Sequence, residues 1–351
     1  MRAITASWSR ADLAIALAML AYFGAAGVVC RLTGYPDVFA PFIYVLPFYA
    51  CYGLYALVLL VASNSKRRGK TAVMRLLQSL EPPKLRRRLK SAAPVLLAMP
   101  FFMAGFTSLK NLLNVIFPFT WDDRLAAADR WLHFGRQPWQ WLSIEIWPLT
   151  RFIELVYAFW GVLLVLLPLV VYLVSEEWRH RAHYLISYML VFVLLGNLAA
   201  AAFMSAGPFA FQYSGAAHSD FSPLLHYLDH GDPARSFSAV LFQRYLWLSY
   251  VNRTSGLGSA ISAFPSVHVA MAMLYLMYAW RFGRMARLLS VAFFLLVLIG
   301  SIHLAWHYAL DGYAGILGAV AIYLAVGFLL RKSRPANPGY IPGEPARTKT
   351  R

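Results

Sequence analysis

Long apolar stretches, separated by short polar ones, run almost the whole length of the chain. Eight of them, near residues 11–30, 40–62, 91–117, 151–175, 184–204, 263–280, 288–306 and 309–330, are dominated by Leu, Val, Ala and Phe. A helix needs about 20 such residues to cross about 30 Å of hydrocarbon. The pattern therefore predicts eight transmembrane helices. The first stretch lacks a small-residue cleavage site and is followed by further spans, so it reads as a helix of the protein rather than a removed signal. Two connections break the rhythm. Residues 118–150 carry Trp121, Asp122, Asp123, Asp129, Arg130, Trp131, His133, Trp139 and Trp141, too polar to span. They read as amphipathic helix in the membrane interface, where Trp is at home. Residues 205–262 form a connection long enough to carry local structure or function. The tail 331–351 holds Pro335, Pro338, Pro342 and Pro345 and reads as a disordered cytoplasmic segment.

Composition sharpens this into a fold class. Of 351 residues, 60% are apolar and 13% charged, against about 25% charged in a soluble domain. That excludes a water-soluble globule and a disordered or fibrous chain. The class is all-α, a polytopic membrane protein. Cys30 and Cys51 both sit in apolar runs, which excludes a disulfide framework and a Cys-based zinc site. The formal charge of +17 is a topology signal. Of the 32 Lys and Arg residues, 23 fall in the N-terminus, the 63–90 loop, the 176–183 and 281–287 turns and the tail. These five segments alternate with the others, so they share one side. The positive-inside rule puts that side, with both termini, in the cytoplasm. Without a recognition motif the charge gives no case for nucleic acid. The basic 63–90 loop also suits anionic lipid headgroups.

Ionisable residues at the ends of spans are costly, and two clusters of them fall on the outer face. The first runs from Gly256 through Gly258, Ser259, Ser262, Pro265 and Ser266 to His268. Ser262 fits an N-cap and Pro265 a first turn, so a helix start there would offer free N–H groups to a phosphate. Gly258 and Ser259 are candidates for close backbone approach to substrate. The second runs from Ser301 through His303 and His307 to Asp311. His307 and Asp311 are four apart, so on a helix they would share a face. A carboxylate can then hold one imidazole nitrogen and leave the other nucleophilic. Three plainer readings stand beside these. His303 reads as structural. His226 and His230, with Asp229 and Asp232, have the spacing of helical metal ligands but read as a solvated loop, so no metal and no other cofactor is expected. Asp122, Asp129, Arg130 and His133 fit either a headgroup contact or a solvated helix face.

Phe264-Pro265-Ser266-Val267-His268 and His307-Tyr308-Ala309-Leu310-Asp311 together resemble the paired signature of the type 2 phosphatidic acid phosphatase superfamily, over roughly residues 90–330. Within it they are most similar to the inositol phosphorylceramide synthase, or aureobasidin-resistance, branch. The resemblance implies that His307 attacks phosphorus to give a phosphohistidine and that Asp311 orients it. His268 would protonate the leaving oxygen and then deprotonate the acceptor, while Ser266 and nearby amides hold phosphate oxygens. No metal is implied. The chain lacks the superfamily's upstream Lys-x6-Arg-Pro element, and Ser301 stands where an Arg precedes the second His by six residues. Lys110 and Arg253 are the best substitutes for those cations. The organisation expected is two accessory spans with a basic loop (1–90), a six-span catalytic domain (91–330) and the tail (331–351). The function expected is headgroup phosphotransfer between membrane lipids. Hydrolysis of a lipid phosphate or isoprenoid diphosphate is one alternative, and non-catalytic lipid binding or transport another. The site would face outward from a bacterial inner membrane, or into the lumen of a Golgi membrane in a eukaryote.

Overall fold

Lipid offers no partner to a backbone amide, so an apolar stretch must satisfy its own hydrogen bonds, and a helix does so. The computed structural model describes residues 8–64, 82–213, 220–230 and 238–332, and among these there are helices and no strands. In chain order the helices are α1 (Arg10–Leu32), α2 (Val45–Asn64), α3 (Pro82–Ile116), α4 (Asp122–Leu132), α5 (Pro138–Leu142), α6 (Trp147–Val174), α7 (Trp178–Ala202), α8 (Ser222–His230), α9 (Ala239–Val251), α10 (Val267–Ala279), α11 (Arg284–His303) and α12 (Ala309–Lys332). Among the described residues α1, α3, α6, α7, α11 and α12 are long and apolar enough to cross a membrane. The other two expected stretches hold the apolar helices α2 and α10, and α10 is shorter than its stretch.

Between helices in lipid the hydrophobic effect gives little, and close packing with polar ties does the work. Gly105 of α3 lies against α1 so tightly that an added Cβ would stand 3.0 Å from the Phe23 Cα. Tyr44 and Thr107 pair their hydroxyls at 2.8 Å, and the Ala40 N–H donates to the Ser108 hydroxyl at 3.2 Å, joining the α1–α2 connection to α3 at two points. The middle of α7 widens into a π-helical stretch at Val191–Ala199. There Asn197 accepts the Tyr22 hydroxyl of α1.

Each end of the bundle has its own ties. At one end Arg181 donates to buried Asp12 at 2.8 Å, Tyr172 donates to the same carboxylate at 2.7 Å, and Arg88 donates to Glu176 at 2.7 Å. This end gathers the N-terminal segment, the start of α3 and the α6–α7 turn, three of the basic segments that the charge pattern put on one side. At the other end the segments 204–207, 261–264 and 304–308 meet. The amphipathic segment forms α4 and α5, and the long connection forms α8 and α9, giving each the local structure expected of it. Trp131 of α4 is 82% exposed, while Leu125 and Asp129 are buried. The inner face of α4 thus carries a carboxylate, and the solvated-face reading fails for Asp129. Residues 65–81 of the basic loop, Asp232 and the tail from residue 333 lie outside the described residues.

Candidate active site

The site is built where extended chain crosses between helix ends. The Ala263 N–H donates to the Ser205 carbonyl at 2.8 Å, and the Phe264 N–H donates to the Ser205 hydroxyl at 3.1 Å. Asn114 of α3 accepts the Ile261 N–H at 2.8 Å and donates to its carbonyl. These bonds tie residues 261–264 to other elements outside any helix, so α10 does not begin there. It begins at Val267, with Ser266 as N-cap accepting the Val269 N–H at 3.3 Å. This corrects the expectation of a cap at Ser262 and a helical Pro265. Gly315 of α12 packs so closely that an added Cβ would lie 2.5 Å from the Ser266 carbonyl. The same closeness lets the Ser266 N–H donate to the Asp311 carbonyl at 2.9 Å, locking the starts of α10 and α12 together.

His307 is presented by the end of α11. Ala305 takes a left-handed conformation, φ 57°, which for a residue with a Cβ costs about 1–2 kcal/mol. The Trp306 N–H then reaches back to the Ser301 carbonyl at 3.1 Å and the Ala305 N–H to the Ile302 carbonyl at 3.1 Å, a Schellman stop. His307 therefore lies in the α11–α12 connection and not on a helix. Its Nδ1 sits 2.9 Å from the Ala263 carbonyl and 3.3 Å from Asp311 Oδ2. The expected pair forms, but through a turn leading into α12 rather than through one helix face. A carbonyl oxygen can only accept, so Nδ1 carries the proton and Nε2 keeps its lone pair. Burial, reinforced by the Lys110 charge, pushes the His307 pKa down to about 3, with the bond to Ala263 opposing. The ring is neutral at ordinary pH, the state a nucleophile needs.

Two carboxylates of α4 brace the residues beside His307. Asp129, 1% exposed, accepts the Ala309 N–H at 2.7 Å and the Leu310 N–H at 3.0 Å, capping α12 from another element. Asp122 accepts the Tyr308 hydroxyl at 2.9 Å and the N–H groups of Ala206 and Gly207 at 2.9 and 2.8 Å. Burial raises both carboxyls above the usual range, and the donated bonds oppose it. Gly207, φ 95°, runs so close to Trp306 that a Cβ would meet its carbonyl at 2.5 Å. His133 bonds the Asp129 carbonyl at 2.7 Å and faces the Tyr313 hydroxyl at 3.0 Å.

His268, in the first turn of α10, stands with its ring centroid 5.8 Å from that of His307. Tyr157 stacks on it at 4.9 Å and Trp160 packs at 4.1 Å, both from α6. Lys110 of α3 lies within electrostatic reach of both imidazoles. The structure thus brings His268, His307, Asp311, Ser266 and Lys110 together. It places the other three candidates elsewhere. Ser259 bonds Asn111 at 3.0 Å, the Gly258 N–H donates to the Tyr44 hydroxyl at 3.0 Å, and Arg253 lies on the surface beside a separate cavity. His303 bonds the Thr150 hydroxyl at 2.8 Å, as a structural histidine does. Among the described residues no group of His, Cys, Asp and Glu could hold a metal ion. The Ala263 carbonyl and the Tyr157–Trp160 wall carried no sequence signal, because a backbone group and two aromatic residues in an apolar span look like any others.

A family model described as the PAP2 superfamily matches residues 123–325, from α4 into α12, with both histidine motifs. Lys110 and the rest of α3 precede that stretch. No curated protein and no solved structure is similar to the chain. The match covers more than half of the chain and includes the assembled histidine pair, so the protein belongs to the PAP2 superfamily, whose members are generally phosphatases and phosphotransferases.

Proposed function

We propose that the protein is an integral-membrane phosphotransferase that moves a phosphorylated headgroup, inositol phosphate in type, between lipids through a phosphohistidine. The observation that carries this reading is the His307 ring: Nδ1 is held by Ala263 and Asp311, and Nε2 is left to react. Nε2 attacks phosphorus, and the bond to the departing lipid oxygen breaks. His268 gives that oxygen a proton. It then takes one from an acceptor hydroxyl, which attacks phosphorus and releases His307. Asp311 stabilises the positive imidazole that forms, and Ser266 with neighbouring amides holds phosphate oxygens. The catalytic unit is residues 91–330, with the first two spans as accessory helices and the site facing outward.

Charge supports transfer from a phosphodiester. A dianionic monoester calls for several fixed cations. Here Lys110 is the cation brought to the imidazoles, while Ser301, at the superfamily's Arg position, is buried and donates to the Leu298 carbonyl at 2.7 Å. One cation matches one negative charge, as on a diester. The second reading is hydrolysis, favoured by superfamily membership alone, with water as acceptor. The test uses purified protein, a panel of lipid phosphates, and diacylglycerol or ceramide as acceptor, read by mass spectrometry. A new phospholipid that needs acceptor and is lost in His307→Ala supports transfer. Free phosphate without acceptor means hydrolysis. Neither product, or activity that survives His307→Ala or resists vanadate, overturns the mechanism.

A further inference from the structure

An imidazole that gives and takes a proton needs a fixed place, and a hydrogen bond to one ring nitrogen usually supplies it. His133, His183, His303 and His307 each have a ring nitrogen within hydrogen-bond distance of a partner. Among the described residues none reaches His268. Its ring is met by ring faces instead. Tyr157 stacks on it at 4.9 Å with 20° between the planes, and Trp160 packs at 4.1 Å with 39°. The two are three residues apart on α6, so they share a face of that helix. Tyr157 is itself held in place. Its ring lies within 3° of parallel to that of Trp306, and a Cβ on Gly300 of α11 would meet its Cδ2 at 3.2 Å. The hold on His268 is thus anchored in α6, α11 and the α11–α12 connection, all outside the helix that carries it.

Charge decides what such a hold does. Lys110 of α3 and His307 of the α11–α12 connection lie within electrostatic reach of His268. Asp311 of α12 lies within reach of Tyr157. The neighbouring stretch of α7, Val191–Ala199, has no ionisable residue, and His303 at the end of α11 is bonded to Thr150. A positive charge on His268 beside Lys110 is unfavourable. A carboxylate partner would offset that, but it would also repel a substrate phosphate. An aromatic face carries partial negative charge with no net charge, and it attracts a cation within about 6 Å of its centroid, Trp most strongly. Both ring distances fall inside that limit. We propose that Tyr157 and Trp160 are positioning residues for His268, whose faces hold its imidazole where a carboxylate would otherwise do so and stabilise the imidazolium by cation–π attraction. The acid and base role of His268 rests on the phosphotransfer reading, whereas the aromatic hold stands without it.

The titration of His268 itself, read without substrate, separates the two. The full protein in detergent is labelled with 13C at histidine Cε1, and NMR follows each imidazole against pH. The His268 signal is the one lost in His268→Gln. Trp160→Leu lowers its midpoint by about 0.5–1.5 pH units, the size of a cation–π attraction. Tyr157→Leu lowers it too, and Trp160→Phe, with a weaker ring, lowers it by less. Tyr157→Phe keeps the ring face and leaves the midpoint in place, which separates stacking from the hydroxyl. With a lipid donor, the alkaline limb of kcat/KM in Trp160→Leu moves down by the same amount, since less of His268 is then protonated to act as acid. A lowered midpoint in a protein inactive on every lipid upholds the aromatic hold and ends the phosphotransfer reading. An unchanged midpoint in the leucine variants, or in Trp160→Phe where those fail to fold, overturns the proposal. A wild-type His268 that stays neutral down to pH 4 overturns it as well.

Discussion

The imidazole of His307 has one nitrogen committed and one free, and the commitment is unequal. The Ala263 carbonyl at 2.9 Å is closer than the Asp311 carboxylate at 3.3 Å. The backbone carbonyl suffices to fix the tautomer, and Asp311, for which charge stabilisation is proposed, also accepts the Tyr308 N–H at 3.0 Å. From this, Asp311→Asn costs less activity than His268→Ala, which removes the general acid and loses about 10²–10⁴-fold in kcat. Steady-state kinetics of the two variants on one donor checks the order. The buried ring also makes a stability prediction. Its folded pKa of about 3 lies below the ordinary 6.5, so between those values the unfolded chain binds the proton and the folded one does not. Stability accordingly falls as pH drops through that window. Thermal unfolding in detergent from pH 7 to pH 4 should show this fall, and His307→Gln should flatten it. Spacing pointed to the His307–Asp311 pair on a helix face, whereas the contact forms across the turn into α12. The partner at Ala263 was not legible, since any residue supplies a carbonyl.

At the scale of elements, hydropathy located the helices because lipid admits little else, while ends set by contacts far along the chain escaped it. The start of α10 lies at Ser266 rather than Ser262 because Ser205 and Asn114 bond the backbone of Ile261, Ala263 and Phe264 outside any helix. Gly258 and Ser259 have the look of a phosphate loop. Their polar atoms are spent on Tyr44 and Asn111, fastening the loop to the α1–α2 connection and to α3. The amphipathic pattern of α4 predicted a helix with one buried face but could not say which of its acids faced protein. Asp122 and Asp129 face protein while Asp123 faces outward, and Asp129 caps α12 beside His307. Asp129→Ala leaves two buried N–H groups unpaired, each costing about 1–3 kcal/mol. The variant should unfold at lower temperature and lose activity. Asp129→Asn, which still accepts one of the two bonds, should recover part of both. Wild-type behaviour of Asp129→Ala would remove the bracing role.

Across the whole molecule, two polar ends are separated by an apolar waist. One end ties α1 to the rest through Asp12, Arg181 and Tyr172, a buried pair whose breakage costs about 3–5 kcal/mol. The other assembles α3, α4, α6, α10 and the α11–α12 connection around two histidines. Charge counting grouped five basic segments on one side, and three of them, the N-terminal segment, the start of α3 and the α6–α7 turn, meet at one end of the bundle. It had no means of showing that α3, outside the matched family region, brings Lys110 within electrostatic reach of both imidazoles. The central claim is covalent, so it is tested by a covalent readout. Protein is mixed with a lipid donor carrying labelled phosphate and no acceptor, quenched in base, digested, and its peptides mapped by mass spectrometry. The account predicts labelled phosphate on the peptide containing His307, lost in His307→Ala and discharged when an acceptor lipid is added before quenching. Label on another residue, or full turnover with no labelled histidine in either sample, would contradict it.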